Sequence, residues 1–190
     1  MYRHRLLVKS SSVCSIPAER RSFLANLNSA QVIPIHKKGE SNLATNNRPI
    51  SLLPVLSKII EKRVLKRMIS FIDSSHILNR SQYGFRANHD YIDAVSVLTS
   101  NVLQAMDNNM ITIAIMVDIS KAFDNLDHKI LLDKLSHYGF RGCSLQWFSS
   151  FLSGRSQVTC YNSTLSSLLS IISGVPQGAV LSPLLFSLYQ

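Results

Sequence analysis

The first place where this sequence could do chemistry is an acidic residue that ends an uncharged run. Asp118 follows Met110-Ile-Thr-Ile-Ala-Ile-Met-Val117, eight residues without a charge. The run is apolar and partly β-branched, which predicts a buried strand. A carboxylate there is costly unless it is paired or binds a metal. In Asp118-Ile-Ser-Lys-Ala-Phe-Asp124 the strand is expected to turn straight into a helix, leaving Asp118 at the mouth of a sheet. Metal-dependent phosphoryl transfer uses such a geometry, with carboxylates holding two Mg2+ ions roughly 3.5–4 Å apart that clamp the attacking and leaving oxygens. On these residues alone, an ordinary turn residue or helix cap explains Asp118 at least as well. Asp124 suits a helix N-cap, with Asp127 in the capping-box position three residues on, and capping is the preferred reading of both.

The charge balance points to a compatible partner. Twenty Lys and Arg against eleven Asp and Glu give a net charge of +9. That favours a polyanion, nucleic acid first and an anionic membrane surface second. A chain of 190 residues with 46% hydrophobic content is long and apolar enough for a globular domain with its own core, or one domain and part of another. Cys14, Cys143 and Cys160 form no C-x-x-C pair, so reduced thiols are expected rather than a zinc site or disulfides. After the basic start only Leu6-Leu7-Val8 is apolar, too short for a signal peptide. No stretch approaches the length of a membrane span. The expectation is an intracellular protein, in cytoplasm or nucleus, that does not use a membrane.

Several elements must position Asp118. Residues 1–28 lack periodicity and are expected to be a poorly ordered lead-in. Gln31-Val-Ile-Pro-Ile35 is a short apolar run ending in the basic turn Lys37-Lys38-Gly39. Leu56, Ile59, Ile60, Val64, Leu65, Met68, Ile69 and Ile72 recur at helical spacing, with Lys58, Lys62, Arg63, Lys66 and Arg67 opposite. That basic stripe reads equally as a solvated face or a nucleic-acid contact. A second helix is expected over residues 92–106, with Val95, Leu98, Val102 and Met106 inward. A third runs from Asp124 to a Tyr138-Gly139 stop, and a fourth from Leu145 to Leu152. Gln157–Tyr161 and Leu168–Ile172 suit a hairpin, Gly174-Val-Pro-Gln-Gly178 a tight loop, and Ala179–Tyr189 an apolar helix. Strands and helices interleave without a βαβ rhythm, which predicts an α+β fold, an antiparallel sheet covered by helices on one face.

Five collinear stretches resemble reverse transcriptases of non-LTR (LINE-type) retrotransposons. Asp118-Ile-Ser-Lys-Ala-Phe-Asp124, continuing to Leu126-Asp-His128, is similar to the first palm motif. Ile33-Pro-Ile-His-Lys-Lys-Gly-Glu40 and Asn47-Arg-Pro-Ile-Ser-Leu-Leu-Pro54 resemble the two fingers motifs, and Gln82-Tyr-Gly-Phe-Arg86 the fingers-to-palm segment. Gly174-Val-Pro-Gln-Gly178 with Ser182-Pro-Leu-Leu-Phe186 resembles the palm loop and helix before the catalytic hairpin. The resemblance covers residues 29–190. It implies fingers over 29–110, a partial palm over 111–190, and RNA-templated DNA synthesis from dNTPs on an RNA template and DNA primer.

The resemblance also implies roles. Asp118 is the catalytic metal ligand, with Ile119 offering a backbone group to metal or triphosphate. Phe123 matches an aromatic gate against the ribose 2′-hydroxyl, with core packing as the alternative. Lys37, Lys38 and Arg48 match positions that hold the incoming triphosphate, where cations meet charge developing on the phosphates. Gln177 and Gly178 line the nucleotide pocket. Arg86 and the helical Lys58, Lys62 and Arg63 are candidate nucleic-acid contacts, with a structural ion pair equally open for Arg86. The family's aromatic-x-Asp-Asp hairpin has no counterpart in these residues, so one carboxylate is expected to leave the two-Mg2+ site incomplete and the chain inactive. Asp90-Tyr91 also departs from the small hydroxylated pair of the family, Asn47 from an aromatic, and Ala179 from a Ser. A non-catalytic RNA- or DNA-binding remnant and a group II intron maturase-like polymerase domain are the alternatives.

Overall fold

The computed structural model describes Phe23, residues 27–40 and residues 43–190. The lead-in therefore lies largely outside the described residues. Its described part is ordered by burial: Phe23, Leu27 and Asn28 are all buried.

Strands β1 (Ser29–His36) and β2 (Asn47–Leu52) form an antiparallel hairpin whose connection begins with Lys37–Gly39 and ends in a 3-10 turn at Ala44–Asn46. After helices α1 (Val55–Ser74), α2 (Tyr91–Asp107), α3 (His128–His137) and α4 (Cys143–Leu152), β3 (Arg155–Tyr161) returns beside β1. Short strands β4 (Thr164–Leu165) and β5 (Leu169–Ile171) fold back on β3, and α5 (Ser182–Tyr189) follows. The hairpin expected from 157–161 and 168–172 forms, with Gln157 opposite Leu169. The expectation of a wholly antiparallel sheet is corrected, because β1 and β3 run parallel with Gln31 opposite Val158. A four-helix crossover separates these two strands, and parallel pairing needs such a long connection. Alternation sends Ala30, Val32 and Ser51 into the interior while Ile33, Ile35 and Leu52 face outward.

The core gathers where α1, α3, α4 and α5 meet. Met68, Leu131, Leu135, Phe140, Phe151 and Leu185 are fully buried there. Phe23 sets its edge against the stacked Trp147 and Phe151 rings, at centroid distances of 5.7 and 5.1 Å. Edge-to-face contacts of this kind add to area burial. Truncating such a ring to Ala typically costs about 3–5 kcal/mol.

Helix ends follow local rules, with one reassignment. Asp127, not Asp124, is the N-cap of α3, its Oδ1 accepting from Ile130 N at 2.9 Å. Asp124 sits three residues too early to reach those amides. Gly139, at φ +101°, ends α3 where the sequence predicted. Asp90 caps α2 through a reciprocal capping box with Asp93, at 3.0 and 3.2 Å. The Asp therefore does the work of the hydroxylated residue it replaces. The last helix begins at Ser182 rather than Ala179.

Two expectations about burial are corrected. Met110–Val117 is an extended, unpaired segment rather than a buried strand, with Ile111, Ile113 and Ile115 exposed at 92%, 82% and 85%. A strand is buried by its neighbours, and no described strand pairs with this one. Helix α2 forms as expected, but its supposed inner face is open: Val95, Leu98 and Met106 are exposed. In α1, Leu56 and Ile59 face outward, and the buried positions on the first two turns are Ser57 and Glu61.

Glu61 is the decisive member of that pair. It is 0% exposed, and its carboxylate accepts from Ser57 Oγ at 2.7 Å, Val180 N at 2.7 Å and Leu181 N at 3.2 Å. The buried Arg155 guanidinium is close enough to feel this charge. Burial holds its pKa below the ordinary arginine value and Glu61 pulls it part of the way back. Arg155 also donates to Phe151 O at 3.0 Å and lies over the Phe151 ring. Removing a buried acceptor leaves its donors unsatisfied, which typically costs about 1–3 kcal/mol for each group. Glu61→Ala is expected to show a loss of that size in urea denaturation, and adding Arg155→Met should recover part of it. A single-variant loss no larger than a surface substitution gives would show that Glu61 does not hold the core.

Candidate nucleotide-binding cleft

The Gly174–Gly178 loop is gripped from three directions. Toward the segment before α3, Gly174 N donates to Leu126 O at 2.7 Å and Val175 N to Phe123 O at 2.8 Å. The approach is so close that a Cβ on Gly174 would lie 2.8 Å from backbone atoms of Asp124 and Phe123. His128 adds a side-chain tie, its Nε2 donating to Gly174 O at 2.7 Å. Toward the sheet, Ser51 N donates to Gln177 O at 2.7 Å. A Cβ on Gly178 would stand 2.6 Å from Ser51 O, and Gly178 has φ +128°. Toward the core, Glu61 holds the amides of Val180 and Leu181, and Ser182 Oγ donates to Pro176 O at 2.8 Å.

This bracing leaves a cleft of about 310 Å³ between the loop and the inner face of the β-hairpin. Val32, Pro49, Ser51 and Gln157 are among its sheet residues, and Asp124 and Gln177 are among its polar ones. Gln177 Nε2 donates to Asp124 Oδ1 at 3.1 Å.

The residues singled out in the sequence take different places around it. Gln177 lines the cleft, and Gly178 is exposed beside it. Phe123 is half-buried, with ring centroids 5.3 Å from Phe186 and 6.3 Å from Phe85, so it packs and also borders the loop. Lys37 and Lys38 are exposed at the hairpin tip. Arg48 is exposed on β2 opposite Ile35. By strand alternation it leaves on the face opposite Pro49 and Ser51, outside the cleft lining. Asp118 and Ile119 are exposed at the end of the unpaired 110–117 segment. Arg86 is half-buried and donates to Asn79 O at 3.3 Å, while Lys62 and Arg63 are exposed on α1 and Lys58 is half-buried. Among the described residues no three His, Cys, Asp or Glu side chains are grouped to hold a metal. Cys143 and Cys160 are half-buried free thiols, and Cys14 lies outside the described residues. No described helix is long and apolar enough to cross a membrane.

The family model for reverse transcriptase (RNA-dependent DNA polymerase) matches residues 35–190, most of the chain and all of the cleft lining except Val32. The chain belongs to the reverse transcriptase family. Its similarity extends to the RNA-directed DNA polymerase from mobile element jockey of Drosophila melanogaster, 35% identical over 85% of this chain and 18% of that protein. The probable RNA-directed DNA polymerases from transposons X-element and BS of the same species are each 33% identical, over 82% and 84% of this chain. The chain spans 17–18% of the length of these curated relatives. These are polymerases of non-LTR elements, as the five motifs implied.

For this reverse transcriptase domain, the sequence missed the residues that hold the loop. Glu61 had a usable signal, since Ser57, Glu61, Val64 and Met68 share one helix face with Ile72. A carboxylate inside an apolar stripe asks for a buried partner. The ties of Asp124 and His128 to the loop had no local signal, because their partners lie 53 and 46 residues away. Gly178→Ala is expected to break the Ser51–Gln177 hydrogen bond and lower stability by about 1–3 kcal/mol, the cost of a strained backbone position. Thermal unfolding measures it, and an unchanged melting temperature would show that the loop does not need the close approach.

Proposed function

We propose that this chain binds the nucleotide and the template strand of an RNA-directed DNA polymerase and takes the rest of its metal site from outside residues 1–190. The observation that carries this reading is the cleft, where the Gln177 loop is braced against the β-hairpin that bears Lys37, Lys38 and Arg48. In this reading Gln177 and Gly178 border the bound dNTP and Phe123 stands beside its sugar. Lys37 and Lys38 at the hairpin tip meet its triphosphate as it approaches, whereas Arg48, on the opposite face of the hairpin, takes no part. Lys58, Lys62, Arg63 and Arg86 contact RNA template or DNA primer, as the net charge of +9 favours.

The residues present do not fit two Mg2+ ions. Asp118 is a single exposed carboxylate with no second ligand grouped around it among the described residues. The 190 residues also contain no adjacent Asp-Asp pair. No catalytic step is therefore derived through metal here. The expected behaviour is binding without nucleotide incorporation.

The test uses an RNA template annealed to a DNA primer, with dTTP and Mg2+. The chain is expected to bind both ligands and to extend nothing, and primer extension would overturn the claim of an incomplete site. Lys37→Ala with Lys38→Ala should weaken dTTP binding by about tenfold, the scale of a lost charge-assisted hydrogen bond. Affinity for single-stranded RNA should fall with log salt, and Lys62→Ala with Arg63→Ala should reduce the slope by about 1.4, or 0.7 for each phosphate contact. RNA binding without any dTTP binding would favour a binding module instead.

A further inference from the structure

Asp124 is a carboxylate whose role as a helix cap belongs to Asp127, which leaves its side chain to be explained. Among the described residues its only side-chain hydrogen bond is the one it accepts from Gln177 Nε2. We propose that Asp124 is a positioning residue that fixes which end of the Gln177 carboxamide faces the bound nucleotide. The proposal rests on the nucleotide reading of the cleft.

The argument is one of donor and acceptor types. An ionised carboxylate only accepts, so the neighbouring amide must turn its NH2 group toward it. The Gln177 Oε1 is then directed away from Asp124 and left as an acceptor. A nucleotide group that meets Oε1 must be a donor, which a phosphate oxygen is not. Without Asp124 the two ends of a carboxamide are nearly equal in shape, and nothing selects between them.

Such selection works only if both backbones are fixed, and here they are. Asp124 N donates to Lys121 O at 2.9 Å, and Ser173 Oγ donates to Asp124 O at 3.3 Å. The close approach of Gly174 leaves the Asp124 backbone no room to shift toward the loop. Gln177 is held through its carbonyl by Ser51 N. Both side chains line the cleft, so the pair lies where a ligand would read it.

The test is a double-mutant cycle on the 190-residue chain, titrated calorimetrically with dTTP and Mg2+. Asp124→Leu and Gln177→Leu are each expected to weaken binding roughly threefold to tenfold, the range of one hydrogen bond. The double variant should bind no more weakly than Gln177→Leu alone, the non-additivity of residues acting as a unit. Asp124→Asn, which can donate as well as accept, should stay weaker than the unsubstituted chain. Nitrogen-15 NMR provides a reading free of ligand: one side-chain amide proton of Gln177 should exchange slowly with water, and lose that protection in Asp124→Leu while the backbone spectrum stays folded. Losses that multiply in the double variant, full recovery in Asp124→Asn, or an amide signal indifferent to Asp124 would each overturn the positioning role alone. No dTTP binding to the unsubstituted chain, or binding untouched by Gln177→Leu, would overturn the nucleotide reading and the proposal with it.

Discussion

The fold turns on a carboxylate that has no water. Taking an ion such as Glu61 out of solvent costs several kcal/mol even after relaxation. The cost is offset by three hydrogen-bond donors, from Ser57, Val180 and Leu181. Two of those donors are the amides of Val180 and Leu181, at the start of α5. Helix starts leave such amides without intrahelical partners, and Leu181 at the N-cap offers no side-chain acceptor. A residue of α1 therefore caps α5 from across the core. This one contact joins the basic helix to the end of the Gly174–Gly178 loop, so the loop inherits its position from the core rather than from its own turn.

The same logic explains why part of the molecule is well packed and part is bare. Helices α3, α4 and α5 share Leu131, Leu135, Phe148, Leu181 and Leu185 as a common core. Helix α2 opens on a reciprocal capping box, yet no residue of it is buried. The apolar segment that follows presents its side chains to solvent in turn. Caps and propensity make an element, but only a partner buries it.

That distinction sets what could be read from the sequence. The hairpin β3–β5, the helices α1, α3 and α4, and the glycine stop at Gly139 were legible because spacing, caps and turn residues are local signals. The five motifs were legible for the same reason, and they located the Gln177 loop, which lines the cleft. What failed was non-local. The run 110–117 reads as a buried strand from composition, but its burial depends on a neighbouring strand that no described residue supplies. The inner face of α1 was placed one position off at its start, because the acceptors and donors that make Ser57 and Glu61 interior lie up to 120 residues away. Asp124 was read as a cap since its true partner, Gln177, is visible only in the folded chain.

These differences in bracing divide the candidate site by rigidity. The loop side is fixed before any ligand arrives, by backbone hydrogen bonds to β2 and to residues 123–126 and by the buried charge of Glu61. Groups held in this way lose little freedom on binding, which is the advantage of preorganisation. Asp118 stands at the other extreme, exposed at the end of a segment with no ladder partner. An unpaired segment does not fix the position of such a side chain. Pairing the 110–117 segment into a sheet would bury its isoleucines and fix the position of Asp118 in the same event. The loop side of the cleft is thus built into the core of this chain, whereas Asp118 sits at its most exposed edge.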